Sequence, residues 1–549
     1  MSFFRLLIIF IVVFVSVFPF KQTTKAQGSE PPFFAITNAR IFTVSGSVIE
    51  NATVVVADGL ISAVGRDVQI PAEAEVIDGK GLTVYPGLID SLTDLGLQSA
   101  TPPTPGQSQQ QNQQRNISRG PEDRPATTPW QNAADDLNTE DKRIESWREA
   151  GFTTVLTAPK TGIFPGQGAV INLLSGERAG QVVVKTPATL QVSFQSAGGF
   201  GSFPGSLMGA VSYIKQVFLD IEQYRQASKV YNQTPKGLQR PSYDRTVRAI
   251  DGLLSSNTPV LMPATTPTQI RRVQEIQDRF SLKTIIYGGQ QGYEIATFLA
   301  EKKIPVLVSL KWPEKDRNGD PEAEEPLRSL RFRDKAPSTP AEFEKAGVRF
   351  AFYSDGISSP KEIIKNAKRA IDAGLKPETA LRAFTLTAAE LLGVDSQLGS
   401  IEVGKIANLI VTDGDIFAEK TKIKYVFVDG TKYELREQAK PTEPPTVNLT
   451  GKWTLTINSP QGQQEATADL KMSPDGTLTG TFTNILGSST ITTGSVSGNK
   501  FNFTVDITIN SRNIEVKASG VLENNQMKGT FSFGSANAEF TGIKPDKIL

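Results

Sequence analysis

The alternation of apolar and polar residues divides the chain into three regions. Residues 33–85 alternate with a period of two and are punctuated by glycine, which predicts a small antiparallel sheet. From residue 133 onward, apolar strands alternate with amphipathic helices, the pattern of an α/β fold. From residue 448 the chain returns to short alternating strands separated by turns such as Asp475-Gly476. This last region predicts about eight antiparallel strands in a small barrel or sandwich.

Two segments interrupt this order. Residues 99–128 are rich in Thr, Pro, Gln and Asn, and such a segment cannot bury enough apolar surface to offset its ordering entropy. We predict a flexible loop there, a passive insertion in preference to a gating lid. Residues 436–447 are rich in Pro, Glu and Thr, which predicts a linker between domains.

The first 27 residues have the pattern of a secretory signal. Arg5 supplies a positive charge, residues 6–18 are almost continuously apolar, and Ala26 precedes the expected cleavage at Gln27. The apolar run is shorter than the roughly 20 residues of a membrane span. We therefore expect an exported protein, periplasmic or extracellular, with no stable membrane span after cleavage. An uncleaved anchor is the alternative.

Composition restricts the chemistry more than charge does. The chain has 549 residues, enough for two or three domains, and its net charge of +1 favours neither nucleic acid nor an anionic surface as partner. It contains no histidine and no cysteine. Imidazole, thiolate and disulfide chemistry are thereby excluded. The remaining ligands are carboxylates, amides and hydroxyls, which suit Mg²⁺, Mn²⁺ or Ca²⁺ better than zinc.

Residues 84–96 predict a buried strand whose C-terminal end opens onto a polar site. The run P-G-L-I-D-S-L-T-D at residues 86–94 resembles the first barrel strand of the amidohydrolase superfamily, P-G-x-I-D-x-H-x-H. The resemblance places Leu92 and Asp94 where the family has two metal-binding histidines. Three further motifs follow in the family's order. Residues 151–156 resemble the family's GxTTVL segment, and residues 373–393 resemble its AGLxPExALRAxTxxxAxxLG helices. Residues 398–411 resemble LGSIExGKxADLxV.

This resemblance covers roughly residues 35–435 and implies both a fold and an activity. The expected fold is α/β, a TIM-type (β/α)8 barrel over residues 86–395. Residues 28–85 and 396–435 would together form a composite β-sandwich, and residues 448–549 a separate C-terminal all-β small barrel or sandwich. The implied activity is hydrolysis of amide or cyclic amide C–N bonds in a small-molecule substrate.

The resemblance also implies that the usual zinc site has been lost. The family's later ligand positions correspond here to Gln191, Pro263 and the pair Gly288-Gly289, of which Pro and Gly have no ligating side chain. One position is retained, Asp355 at the end of the last barrel strand. In the family this aspartate binds a metal and accepts the proton of the attacking water.

Three aspartates are predicted to converge at the barrel mouth, because the first and last strands of such a barrel are neighbours. Asp94 and Asp355 are the catalytic candidates, and Asp90 is either structural or a third ligand for a hard cation. Two close carboxylates would bind such a cation, share a proton, or be held apart by a basic partner.

Two functions follow from these residues. The first is a C–N hydrolase with Asp355 as general base, using a hard cation or no metal. The second is a non-catalytic pseudoenzyme that binds a small molecule or a partner in the cell envelope. Without a Lewis acid, water has a pKa of about 15.7 and an aspartate is a poor base for it, so we expect altered or absent activity. The C-terminal strands predict either a lipocalin-like barrel that holds a ligand or, preferably, one filled by side chains.

Overall fold

The computed structural model describes residues 33–97, 124–175, 177–195, 203–315, 324–435, 441–459, 462–485, 487–509, 512–533 and 536–544. The predicted signal lies outside these ranges, and the predicted loop and linker lie partly outside them. Contacts divide the chain into two compact units, residues 1–433 and 434–549, which are described separately. Within the described ranges, no helix combines the length and apolar character needed to cross a bilayer.

The first unit contains two eight-stranded sheets and a layer of helices. Its strands are β1 Phe34–Ile41, β2 Ile49–Ala57, β3 Leu60–Gly65, β4 Glu75–Asp78, β5 Thr83–Pro86, β6 Leu88–Thr93, β7 Phe152–Thr157, β8 Gln167–Asn172, β9 Val183–Gln191, β10 Val260–Ala264, β11 Thr284–Gly288, β12 Val306–Ser309, β13 Phe350–Tyr353, β14 Leu409–Thr412, β15 Ile423–Val428 and β16 Thr431–Glu434. Its helices are α1 Arg143–Glu149, α2 Ala179–Val182, α3 Leu207–Gln233, α4 Arg245–Ser255, α5 Pro267–Phe280, α6 Ala296–Glu301, α7 Leu327–Lys335, α8 Thr339–Ala346, α9 Pro360–Asp372, α10 Pro377–Phe384 and α11 Leu386–Leu392. Single 3-10 turns lie at Gly292–Glu294 and Ala336–Ser338.

The two flanks of the barrel form one sheet, in the order β16-β15-β14-β5-β1-β2-β3, with β4 paired to β1. The junction is the antiparallel pair of β14 and β5, in which Leu409 lies opposite Pro86. Buried Phe34 and Ile36 from the N-terminal flank pack in one apolar cluster with Phe427 from the C-terminal flank. The two flanks therefore share a single sheet, whereas the resemblance implied a composite β-sandwich.

Strand β5 passes directly into β6 through Gly87, and only glycine fits at this corner. A Cβ atom on Gly87 would lie 2.0 Å from the Thr153 hydroxyl oxygen on the neighbouring strand. The close approach holds β6 against β7, so the C-terminal end of β6 lies at the barrel mouth.

The second sheet is the predicted barrel, with its strands in the order β6 to β13. Seven of them run in one direction, and β8 runs antiparallel to both β7 and β9. The reversal of β8 is a local departure from a fully parallel barrel. Only residues 158–166 connect β7 to β8, and a parallel crossover needs a dozen residues or more, usually with a helix.

Alternate residues of the parallel strands fill the barrel interior or contact the helices. Leu261, Ile285 and Leu307 point inward and pack with Leu392 of α11, which covers the N-terminal end of the barrel. Their sequence neighbours Met262, Ile286 and Val308 face outward into the helix layer. Each such buried side chain contributes about 1.5–3 kcal/mol.

Helix α5 is an example of how local sequence fixes an element. Thr266 accepts a hydrogen bond from the main-chain N–H of Gln269, whose side chain accepts one from Thr266 N–H in return. Pro267 stands at the first helical position, and Ser281 ends the helix in a left-handed conformation. A cap of this kind stabilises a helix by about 1 kcal/mol.

The second unit is a closed antiparallel barrel of eight strands. These strands are β17 Gly451–Ser459, β18 Gly462–Met472, β19 Leu478–Asn484, β20 Gly487–Ser497, β21 Lys500–Ile509, β22 Arg512–Glu523, β23 Gln526–Phe533 and β24 Ala536–Ile543. Its core includes the buried rings of Trp453, Phe482, Phe503, Phe531 and Phe540. Because bulky rings occupy the core, the unit resembles the packed barrel that the sequence favoured over a ligand-holding one.

Candidate functional site at the barrel mouth

The polar residues predicted to form a site lie at the C-terminal ends of the barrel strands. Asp90 is in β6 and Asp94 directly follows it, while Asp355 follows β13. Strands β6 and β13 lie side by side, as expected for the first and last strands of a barrel. The three aspartates nevertheless have three different environments.

Asp90 is buried, with 1% of its surface exposed. One carboxylate oxygen accepts a hydrogen bond from the Ser354 main-chain N–H at 3.0 Å, and the other accepts one from the Trp147 indole at 3.3 Å. Burial raises the pKa of Asp90 above its ordinary value, although both hydrogen bonds act to lower it. Asp90 thus bridges the first and last barrel strands, which is a structural role.

Asp94 forms ion pairs with two basic residues that sequence analysis did not select. One oxygen lies 2.9 Å from Arg143 Nη1 and the other 3.2 Å from Lys160 Nζ. Partial burial raises the pKa of Asp94, but the charges and hydrogen bonds of Lys160 and Arg143 outweigh it, and the pKa lies below its ordinary value. Asp94 therefore has two basic partners of its own, and neither of them is paired with Asp355 among the described residues.

Arg143 is the centre of this ion-pair network. Besides Asp94, it contacts Asp141 with Nη2 at 2.7 Å and donates to the carbonyl oxygens of Asp94 and Leu97. It begins helix α1, so the helix is positioned by the segment that follows β6. Lys160 follows β7, and among the described residues its ion pair is with Asp94, with 46% of its side chain exposed. Lys160 is therefore the more accessible cation.

The other positions that the resemblance assigns to metal ligands do not form a ligand set. Leu92 is 6% exposed and packs in the barrel interior. Gln191 donates to the hydroxyl of Thr189 at 2.9 Å. In the pair of β10 and β11, Pro263 lies opposite Tyr287 and Gly288 lies opposite Ala264. Among the described residues, no group of three acidic side chains is arranged to hold a metal ion. With both oxygens of Asp90 and of Asp94 already engaged, the residues do not fit a divalent cation.

Asp355 differs from the other two aspartates because it is exposed. Its backbone is left-handed, with φ of 51°, a region in which Asp is tolerated better than most residues. The carboxylate accepts a hydrogen bond from the buried hydroxyl of Ser309 at 2.8 Å. The Ser309 oxygen in turn accepts hydrogen bonds from the Lys311 main-chain N–H at 3.1 Å and the Gln290 amide at 3.3 Å. Asp355 therefore belongs to a hydroxyl and amide cluster, separate from the ion pairs of Asp94.

Two tyrosines complete this cluster. The rings of Tyr287 and Tyr353 stand perpendicular, with their centroids 6.3 Å apart. Burial raises the pKa of both phenols, and the negative charge of Asp355 raises each further. Both are therefore neutral hydrogen-bond donors at neutral pH. The sequence gives no separate signal for these two residues, since an inward-facing aromatic residue in a strand looks like any other core position.

Comparisons with known proteins agree with this architecture. The model of the Amidohydrolase family matches residues 326–433. The structure of an amidohydrolase from Thermotoga maritima MSB8 superimposes with a TM-score of 0.61 at 26% identity, covering 73% of this chain and 100% of that one.

Sequence similarity to curated proteins is confined to a short segment. An adenine deaminase of Clostridium botulinum (strain Loch Maree / Type A3) is 32% identical over 92 residues, 16% of this chain and 15% of the deaminase. Adenine deaminase 3 of Rhizobium meliloti (strain 1021) is 40% identical over 78 residues, 14% of this chain and 13% of its own. The match thus spans far less than two thirds of these relatives. Taken with the fold and the motifs, the family match and the Thermotoga structure identify the chain as a member of the amidohydrolase superfamily.

Proposed function

We propose that the barrel mouth binds a small amide-containing molecule, and that the protein lacks the zinc-assisted C–N hydrolysis implied by its family. The observation that carries this proposal is the ion pairing of Asp94 with Arg143 and Lys160. Two positive charges within 3.2 Å of this carboxylate repel a divalent ion, and the chain offers neither imidazole nor thiolate to compensate. Export to the cell envelope is part of the same proposal.

The Asp355 cluster supplies groups that complement an amide. An amide presents a carbonyl acceptor and an N–H donor. The neutral phenols of Tyr287 and Tyr353 would donate to the ligand carbonyl, and the exposed carboxylate of Asp355 would accept from its N–H. The Tyr287 hydroxyl would exchange its long hydrogen bond to the Val192 carbonyl, at 3.5 Å, for the ligand. Both phenols lie close enough to Asp355 for its charge to raise their pKa, which supports a shared site.

A second function, hydrolysis without a metal, is favoured by one specific feature. Asp355 keeps a left-handed backbone that glycine would adopt more easily, and it holds the Ser309 hydroxyl at 2.8 Å. In this alternative, Asp355 accepts a proton from a water that attacks the amide carbonyl, while the phenols donate to the carbonyl oxygen. Asp355 then gives that proton to the leaving nitrogen as the C–N bond breaks, which leaves a carboxylic acid and an amine. It ranks second because a carboxylate is a weak base for water with a pKa of about 15.7.

A panel of dipeptides, N-acyl amino acids and lactams tests the proposal on the purified full chain, with and without Mn²⁺. We expect at least one compound to raise the melting temperature without being hydrolysed. Asp355→Asn should weaken that binding about tenfold, because a charged acceptor is lost. Asp372→Asn, an exposed acid at the end of α9, is the matched control and should leave binding unchanged.

Two outcomes would contradict the proposal. A stoichiometric divalent ion in the purified protein, with turnover that depends on it, would restore the family's metal chemistry. Turnover without a metal that disappears in Asp355→Asn would favour the second function instead.

A further inference from the structure

A cavity lies at the opposite end of the barrel from the mouth. It is a groove of about 510 Å³ at the N-terminal ends of β11, β12 and β13, bordered by α11. Small-molecule sites commonly occupy about 300–1,000 Å³. The groove is separate from the strand ends that carry Asp94 and Asp355, so a ligand here would not depend on the function proposed above.

The lining of the groove combines an apolar floor with a basic rim. The apolar lining residues are Leu282, Ile285, Leu299, Ala300, Ile304, Pro305, Val348 and Leu391. Each of the loops that precede the three strands contributes one cation, Lys283, Lys303 or Arg349. The acid in the lining, Glu390, is bound by Arg349 at 3.1 Å and by Arg382 at 2.9 Å.

Two of these cations have no anion of their own. Over the described part of the chain, neither Lys283 nor Lys303 forms an ion pair, whereas the adjacent Lys302 pairs with Asp278 at 3.6 Å. Burial lowers the pKa of the neighbouring Lys185, and the charge of Lys283 lowers it further. The charge of Asp395 acts on Lys185 in the opposite direction and raises its pKa. Lys283 and Lys303 therefore remain the cations without a paired carboxylate within the described residues.

A buried hydroxyl without a partner also lies in the groove lining. Thr284 is 4% exposed, and its hydroxyl oxygen makes no hydrogen bond within the described residues. Leaving such a group unpaired costs about 1–3 kcal/mol. The hydroxyl is shielded from solvent in the free protein, and a ligand oxygen that reaches it would supply the missing partner.

We infer that this groove binds an organic anion with an apolar body and a single carboxylate. The carboxylate pairs with Lys283 and Lys303 and reaches the Thr284 hydroxyl, and the apolar body covers the floor between α6 and α11. The N-terminal end of such a barrel is generally associated with stability, not chemistry. Ligand binding here should therefore stabilise the fold without affecting any reaction at the mouth.

Decanoate, used below its micelle concentration, is a suitable probe for the full chain. It has one carboxylate and a flexible apolar tail. Decanol and decyltrimethylammonium have the same tail with no charge or a positive charge, and they serve as matched ligands. We expect decanoate to raise the melting temperature in a saturable manner and the other two to have little effect. Equal effects of all three compounds would overturn the inference.

Substitutions locate the site. Lys303→Gln should weaken decanoate binding about tenfold or more, measured by titration calorimetry, because a charge-assisted hydrogen bond is lost. Lys302→Gln changes the neighbouring lysine outside the groove lining and should leave the affinity unchanged. Equal affinities of these two variants would place decanoate elsewhere and contradict the inference.

Thr284→Val separates a ligand contact from a structural one. In the free protein the change removes an unpaired buried hydroxyl, so the melting temperature should stay the same or rise. The affinity for decanoate should nevertheless fall about fivefold to tenfold. A free protein that is destabilised, with an unchanged affinity, would mean that the hydroxyl serves the fold and not the ligand.

Discussion

Strands β6 and β13 lie side by side at the barrel mouth, yet their aspartates have opposite surroundings. At β6, Asp90 accepts two hydrogen bonds in the interior, and Asp94 pairs with Arg143 and Lys160. At β13, Asp355 remains exposed and holds a single hydroxyl, that of Ser309. One strand end has become part of the framework, and the other keeps an accessible carboxylate. The role of an acid in this fold is therefore decided by its neighbours, not by its position alone.

The same contrast exists within the end of β6. Among the described residues, no positively charged side chain lowers the pKa of Asp90, and burial raises it. Asp94, four residues later, has two cations, and these lower its pKa despite partial burial. The two carboxyl groups should therefore affect stability in opposite directions as pH changes.

The largest effect is expected at Asp90. Asp90→Ala leaves the Ser354 main-chain N–H and the Trp147 indole without acceptors in the interior. Two buried donors without partners should cost about 3–5 kcal/mol in the free energy of unfolding. Urea unfolding monitored by tryptophan fluorescence measures this cost, because Trp147 reports on the site directly.

Asp355→Asn is the control for that measurement, since it changes the aspartate at the neighbouring strand end. Asn tolerates a left-handed backbone and can still accept the Ser309 hydrogen bond, so its cost should stay below about 1 kcal/mol. Equal losses in the two variants would remove the distinction between a framework acid and an accessible one.

The sequence was sufficient for the framework but not for the surroundings of the site. The motif at residues 86–94 and the retained Asp355 placed both strand ends correctly, because strand periodicity and a glycine corner are local signals. Arg143 and Lys160 lie 49 and 66 positions along the chain from Asp94 and meet it only through loop geometry. A sequence pattern that records spacing along the chain does not encode such pairs. The antiparallel β8 was missed for a different reason, because the short connection of residues 158–166 is a local signal that the parallel barrel of the resemblance overrode.

A medium effect is expected from Asp94→Asn, with a characteristic pH dependence. The ion pairs are partly exposed, so at pH 7 the substitution should cost about 1 kcal/mol. In the folded protein the pKa of Asp94 lies below its ordinary value of 3.8. The charged carboxylate therefore stabilises the fold fully above pH 3.8, and this stabilisation is lost as the pH falls through the lowered pKa. Asp90 behaves in the reverse manner. Its contribution to the free energy of unfolding is complete below pH 3.8, where the carboxyl group is protonated. That contribution is lost as the pH rises through the raised pKa that Asp90 has in the folded protein.

Urea midpoints of the wild type and Asp94→Asn between pH 3 and pH 7 measure this dependence. The difference between the two proteins should shrink as the solution becomes acidic, and it should also shrink at high salt. Asp413→Asn, which removes a weaker pair with Lys424 at 3.7 Å, is a control away from the mouth. A difference that is independent of both pH and salt would mean that Asp94 acts through packing and not through charge.

The smallest change in the free energy of unfolding is expected from Asp355→Gly. This variant is the strongest test of the difference between Asp90 and Asp355. Glycine relieves the left-handed backbone at φ of 51°, a gain of about 0.5–1 kcal/mol, while the lost hydrogen bond from Ser309 costs about as much. The free energy of unfolding should therefore change by less than about 1 kcal/mol, although ligand binding at the mouth is lost. Asp355→Val cannot adopt this backbone without strain and should cost about 2 kcal/mol, which verifies the conformation. If Asp355→Gly were as destabilising as Asp90→Ala, Asp355 would also be a framework residue, and its exposure would carry no functional meaning.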